Sequence, residues 1–110
     1  MRWRRLINWQ DDRLWRGTVF RLLVTDYPYE TPVDFMLIES LSSLSGFALI
    51  VATGYKAGRI VQHLPRAAQS RRKAGGISRA WIVKNWKRRI YPPCPIEQVR
   101  IIGNYPPGCR

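Results

Sequence analysis

SRAWIVKNWKRRI, residues 78–90, is the stretch on which the fold turns. Ser78 is a favoured N-cap residue, and Ile82, Trp86 and Ile90 recur at i, i+4 and i+8, the spacing of one helical face. Tyr91-Pro92-Pro93 ends the helix, because proline lacks the N–H that the helix needs. Lys84, Lys87 and Arg88 fall on a different face. One amphipathic helix buries its stripe only against a partner layer, and the rest of the chain supplies strands.

The most apolar run, residues 47–53 (FALIVAT), reads as the central strand. Residues 33–39 (VDFMLIE), 59–64 (RIVQHL, stopped by Pro65) and 97–102 (EQVRII) read as further strands. Upstream, residues 14–24 (LWRGTVFRLLV) read as one strand in which Gly17 marks a bulge or a bend. Residues 3–7 form a short segment before a turn at 8–12, and Trp3, Trp9 and Trp15 are expected to anchor a first hairpin. Short connections favour antiparallel pairing. The expected fold class is therefore α+β: an antiparallel sheet of five or six short strands with one C-terminal amphipathic helix packed on one face. Residues 1–110 read as a single domain with a mobile basic loop at 66–77, whose start is compatible with a helical turn, and a Pro-rich tail at 103–110.

Charge is the most unusual property. Nineteen Lys and Arg against seven Asp and Glu give +12, and Arg outnumbers Lys 15 to 4. From Ser40 to Ile96 there are eleven bases and no acid, whereas Asp26, Glu30, Asp34 and Glu39 crowd one loop and strand. A dipolar molecule with an acidic edge is expected. So many like charges repel unless a partner or counter-ions balance them. The partners that suit such a surface are an acidic protein face, nucleic acid and an anionic membrane. The membrane is disfavoured because the helix stripe is already needed to cover the sheet. Nucleic acid lacks a reader: there is no zinc-finger spacing, no RNP-type aromatic motif and no second helix for a helix-turn-helix. Trp81, Trp86 and Tyr91 interleave with bases as a stacking platform does, but their helical spacing marks them first as core.

Little here suits catalysis. His63 is the one histidine and would need a carboxylate beside it. Gly54-Tyr55-Lys56-Ala57-Gly58 lacks the Gly-Lys-Ser/Thr ending of a phosphate loop and reads as a turn. Cys94 and Cys109 are too few for a disulfide framework, and with a distant histidine they make no zinc site; no cofactor is expected. The N-terminal residues lack the apolar run of a signal peptide and no run is long enough to span a bilayer, so a soluble, cytoplasmic protein is expected.

Leu14-Trp15-Arg16-Gly17 with Val19-Phe20-Arg21, Gly54 to Gly58, Trp81 to Trp86 (WIVKNW) and Ile90-Tyr91-Pro92 together resemble the bacterial immunity proteins of family 45 in polymorphic-toxin systems, over most of the chain. The resemblance implies a non-enzymatic antidote that binds a cognate toxin or effector. With a charge of +12 the toxin face that it meets is expected to be acidic; a small nucleic-acid-binding protein is the alternative. The expected binding residues are Arg66, Arg71, Arg72 and Lys73 on the loop and Lys84, Lys87 and Arg88 on the helix, followed by Tyr55 and Lys56 on the turn. Tyr27 and Tyr29 form an alternative anchor pair.

Overall fold

Alternation along residues 33–39 sets the layers. In the computed structural model, which describes residues 3–26, 31–71 and 75–105, these residues form a strand with Phe35 and Leu37 turned to one side and Asp34 and Met36 to the other. The elements in chain order are β1 (Arg4–Arg5), β2 (Arg13–Leu14), β3 (Val19–Leu22), β4 (Val33–Glu39), β5 (Phe47–Val51), β6 (Ile60–His63), β7 (Ile77–Ser78), α1 (Arg79–Asn85) and β8 (Val99–Ile102). Six strands make one antiparallel sheet in the order β1-β8-β3-β4-β5-β6. The α+β expectation stands, with the helix on one face. The apolar strand at 47–51 is interior, but the sheet centres on β3 and β4.

Cross-strand partners share a face. Phe20 lies opposite both Phe35 and Ile101, and Phe35 lies opposite Val51. These side chains meet the helix layer: the Trp86 ring centroid is 6.2 Å from that of Phe20 and 6.3 Å from that of Phe35. Ile82, Trp86 and Ile90 are all buried in this core, as the helical stripe requires. Burial of each such side chain contributes about 1.5–3 kcal/mol.

The opposite face carries a polar row. Arg5 pairs with Arg100, Arg100 with Arg21, and Arg21 with Asp34. Asp34 is buried and accepts from Arg21 Nε at 2.9 Å, Arg21 Nη2 at 3.0 Å and Tyr105 Oη at 2.6 Å. The Trp3 ring stacks 4.0 Å from the same guanidinium. Glu39 is paired with Arg16 at 3.0 Å. The expected acidic edge therefore does not form at these two positions, because arginines from the first 21 residues neutralise both acids.

Three expectations change. First, residues 14–24 are not one strand. Gly17, at φ +90°, and a turn in which Thr18 N and Oγ1 both donate to Trp15 O separate β2 from β3. Second, among the described residues there is no N-terminal hairpin: β1 pairs with β8, and β2 with β7 in a separate two-stranded ladder. Trp9 and Trp15 pack against the core from these segments. Third, the basic loop is tied down through its described parts. The helical turn at its start is present, as a 3-10 turn over Arg66–Ala68 with Ala68 buried, but Gln69 also bridges Ile77, and Ser70 N donates to Gly76 O at 2.9 Å. Gly76, at φ +89°, also sits where a Cβ would lie 2.7 Å from Leu14 O, so the β2–β7 contact excludes a side chain.

Candidate functional site

Helix α1 starts where two distant segments meet. Ser78 Oγ accepts from Trp81 N at 3.3 Å. Asp12 adds a second cap from far upstream: Oδ1 accepts from Ala80 N at 2.9 Å, and Oδ2 accepts from Ser78 Oγ at 3.1 Å. Both relieve orphan N–H groups of the first turn, and the carboxylate complements the positive helix end. After Asn85 the α-helix widens into a π turn over Trp86–Ile90, closed by Tyr91 N donating to Trp86 O at 3.0 Å. Trp86 Nε1 donates to Cys94 O at 2.9 Å, which fixes the indole in the core. Trp86 is therefore no stacking platform. Lys87, Arg88 and Arg89 are consecutive and all exposed.

A groove of about 580 Å³ runs between α1 and the segment around residues 67–71. Half-buried Trp81 and Ser78 line it on the helix side, Gln69 and Ser70 on the other. Arg71 and Lys84 both line it, and Asp12 is the carboxylate within it. The structure thus brings two of the sequence-predicted residues to one concave surface. Arg66 is exposed on the 3-10 turn that packs against α1. Lys87 lines a neighbouring cleft of about 300 Å³ with Glu97 and Pro92. Arg72, Lys73, Tyr27 and Tyr29 lie outside the described residues.

Tyr55 and Lys56 belong elsewhere. They sit on the turn after β5, held by Gly58 N donating to Val51 O at 2.7 Å, and Gly54 and Gly58 take φ of +84° and +94°. Lys56 lines a separate pocket with Arg59 and Tyr91. Sequence reasoning missed Asp12, because a cap 66 residues from its helix leaves no local pattern. It also passed over the exposed Leu41 and Leu44, which sit in a stretch that reads simply as a turn.

His63 Nδ1 lies 2.7 Å from Ser43 Oγ. Among the described residues no carboxylate joins this pair. No group of three or more His, Cys, Asp or Glu among the described residues could hold a metal ion. Burial raises the Cys94 thiol pKa above its ordinary value, an effect that backbone hydrogen bonds and the nearby Arg100 charge oppose. No helix among the described residues is long and apolar enough to cross a membrane.

The family model described as Immunity protein 45 matches residues 6–101, which span every one of these surfaces. The chain belongs to the immunity protein 45 family. The matched span includes both β2, with its partner β7, and α1, so the groove beside α1 is part of the family domain and not an appendage. An immunity, or antitoxin, role follows in general terms, and immunity proteins are generally non-enzymatic. No curated protein and no solved structure gives a significant match to the chain.

Proposed function

We propose that this immunity protein is a cytoplasmic antidote that binds a cognate toxin and occludes it, with the groove beside α1 as the centre of the binding face. The groove carries the reading: Arg71 and Lys84 flank a half-buried tryptophan on a concave surface. An aromatic residue with arginine around it is the composition of an interface hot spot. Arg66, Lys87 and Arg88 are exposed and extend the positive field around this centre. Such a field accelerates encounter with an acidic toxin face and disfavours basic ones. The +12 charge of the whole chain acts in the same direction over longer range.

Co-expression tests this directly. The product of the neighbouring upstream gene is expressed alone and with the immunity protein, growth is scored, and the pair is captured by an affinity tag. Toxicity alone, rescue together and a saturable 1:1 complex support the reading. A harmless neighbour, together with recovery of nucleic acid that high salt removes, overturns it in favour of a nucleic-acid binder, whose affinity falls steeply with salt.

A further inference from the structure

The turn between β4 and β5 inverts the usual sorting of side chains. Residues 40–46 read SLSSLSG, yet Ser43 and Ser45 are buried while Leu41 is fully exposed and Leu44 is 72% exposed. Buried hydroxyls need partners, and both serines have them. Ser43 Oγ lies 2.7 Å from His63 Nδ1 at the end of β6. Ser45 Oγ accepts from Phe47 N at 3.1 Å and donates to Phe47 O at 3.2 Å, and Ser45 N donates to Leu64 O at 3.2 Å. Within the turn Ser40 N donates to Gly46 O at 2.8 Å and Gly46 N donates to Ser43 O at 2.9 Å. The turn is thus held on both sides, and the two leucines that it projects into water take no part in the buried core. Leu41 also walls a cleft of about 340 Å³ with Trp15 and Phe47, whose rings meet edge to face at 5.5 Å.

Position and charge specify what covers these leucines. Gln69 lines the groove beside α1, and its Nε2 donates to Ser45 O at 3.3 Å, so one side chain joins the groove wall to the turn. Residues 40–47 carry no charge, and the acid that precedes them, Glu39, is paired with Arg16 at 3.0 Å. An occupant of the turn therefore meets neutral, apolar surface, unlike an occupant of the groove. A second copy of the chain would bring its own +12 against this one, and an anionic lipid surface would find no base on the turn.

We propose that Leu41 and Leu44 are apolar anchors of the toxin-binding face, entering a neutral, apolar cleft of the cognate toxin while the groove beside α1 meets its acids. Removal of apolar area from water drives such a contact. A turn already fixed in one conformation loses little freedom on binding, so most of that gain appears as affinity. The leucines supply contact that salt does not screen, and the groove supplies contact that it does. This inference rests on the antidote reading for the identity of the partner.

The probe is the purified product of the neighbouring upstream gene, titrated calorimetrically with the full chain and with its Leu41→Ala, Leu44→Ala double variant. Both leucines are outside the core, so the variant is expected to keep the wild-type melting temperature. It is expected to bind at least about ten-fold more weakly, the loss that follows when two leucines no longer bury their side chains. That ratio should persist from low to high salt, whereas the effect of Arg71→Glu with Lys84→Glu should shrink. A smaller loss, or a leucine effect that salt erases, overturns the proposal. So does a wild-type dimer, or sedimentation of wild type with phosphatidylglycerol vesicles, that the double variant loses, since the leucines would then serve a second copy or a lipid surface. Growth separates the two levels of inference. If wild-type protein rescues cells from the toxin and the double variant binds it with unchanged affinity, the anchors fail and the antidote stands. If wild-type protein gives neither rescue nor complex, the antidote reading fails and the anchors fall with it.

Discussion

Replacing Asp34 with Ala should unfold this protein at much lower temperature without touching its partner surfaces. The carboxylate is 2% exposed and accepts three hydrogen bonds, two from Arg21 and one from Tyr105. Removing one partner of a fully buried pair costs about 3–5 kcal/mol, because the other charge is left uncompensated. The Arg21 side chain is 32% exposed and recovers part of its hydration, which lowers the cost. Its row neighbours raise it again, since Arg5, Arg100 and Arg21 stand side by side across three strands and Asp34 is the acid at the end of that row. We expect about 2–3 kcal/mol, and a fall in melting temperature of about 8–15 °C for a chain of this size. Calorimetry and urea titration measure both. Asp34→Leu with Arg21→Met removes both charges, and we expect it to regain most of the loss, since an apolar pair of similar shape is often neutral. A loss below about 1 kcal/mol for Asp34→Ala, or a double variant no more stable than the single one, would refute the assignment of this row as a stabilising element held by its acid.

Other perturbations probe other links. Gly76→Ala meets both a left-handed backbone and a backbone oxygen 2.7 Å from the new Cβ, so it should cost more than the ~1 kcal/mol expected where only backbone conformation opposes the change. Gly58→Ala, with φ +94° and open space, is the matched control, and urea midpoints compare them. Arg71→Glu with Lys84→Glu should weaken toxin binding at least ten-fold by calorimetric titration and leave the melting temperature within a few degrees; unchanged affinity places the binding face elsewhere. In a Cys109→Ser background, Cys94 should react with a thiol reagent only after denaturant is added. Its raised pKa means that the folded state holds the thiol proton more tightly than the unfolded chain does. Stability from this group is therefore complete below the unfolded thiol pKa and falls as the pH rises through and beyond it. Cys94→Ala should flatten that alkaline slope in urea titrations, and an unaltered slope would count against it.

Local pattern was enough for the elements whose cause is local. The strand at 33–39 alternates, and its observed bounds are those read from the sequence. Ile82, Trp86 and Ile90 mark the buried face of the helix, and Ser78 caps it. The glycines of residues 54–58 mark a turn that needs positive φ. The excess of positive charge, and its concentration between residues 40 and 96, is also a property of sequence alone.

What only tertiary structure decided is which distant groups meet. The insertion of β8 between β1 and β3 brings Arg5, Arg100 and Arg21 into one row. That row, with Tyr105, takes Asp34 out of the acidic cluster that the sequence suggests. Pairing of β2 with β7 delivers Asp12 to a helix end 66 residues away, and Gln69 and Ser70 are tied to Ile77 and Gly76 beside it. Arg71 and Lys84 line one groove beside this pairing, whereas the turn after β5 places Lys56 at another pocket. The physical reason is range. Periodicity, capping and turn preferences act within a few residues of chain, whereas burial, hydrogen bonding and charge pairing act through space and depend on a strand order that short antiparallel strands do not by themselves determine.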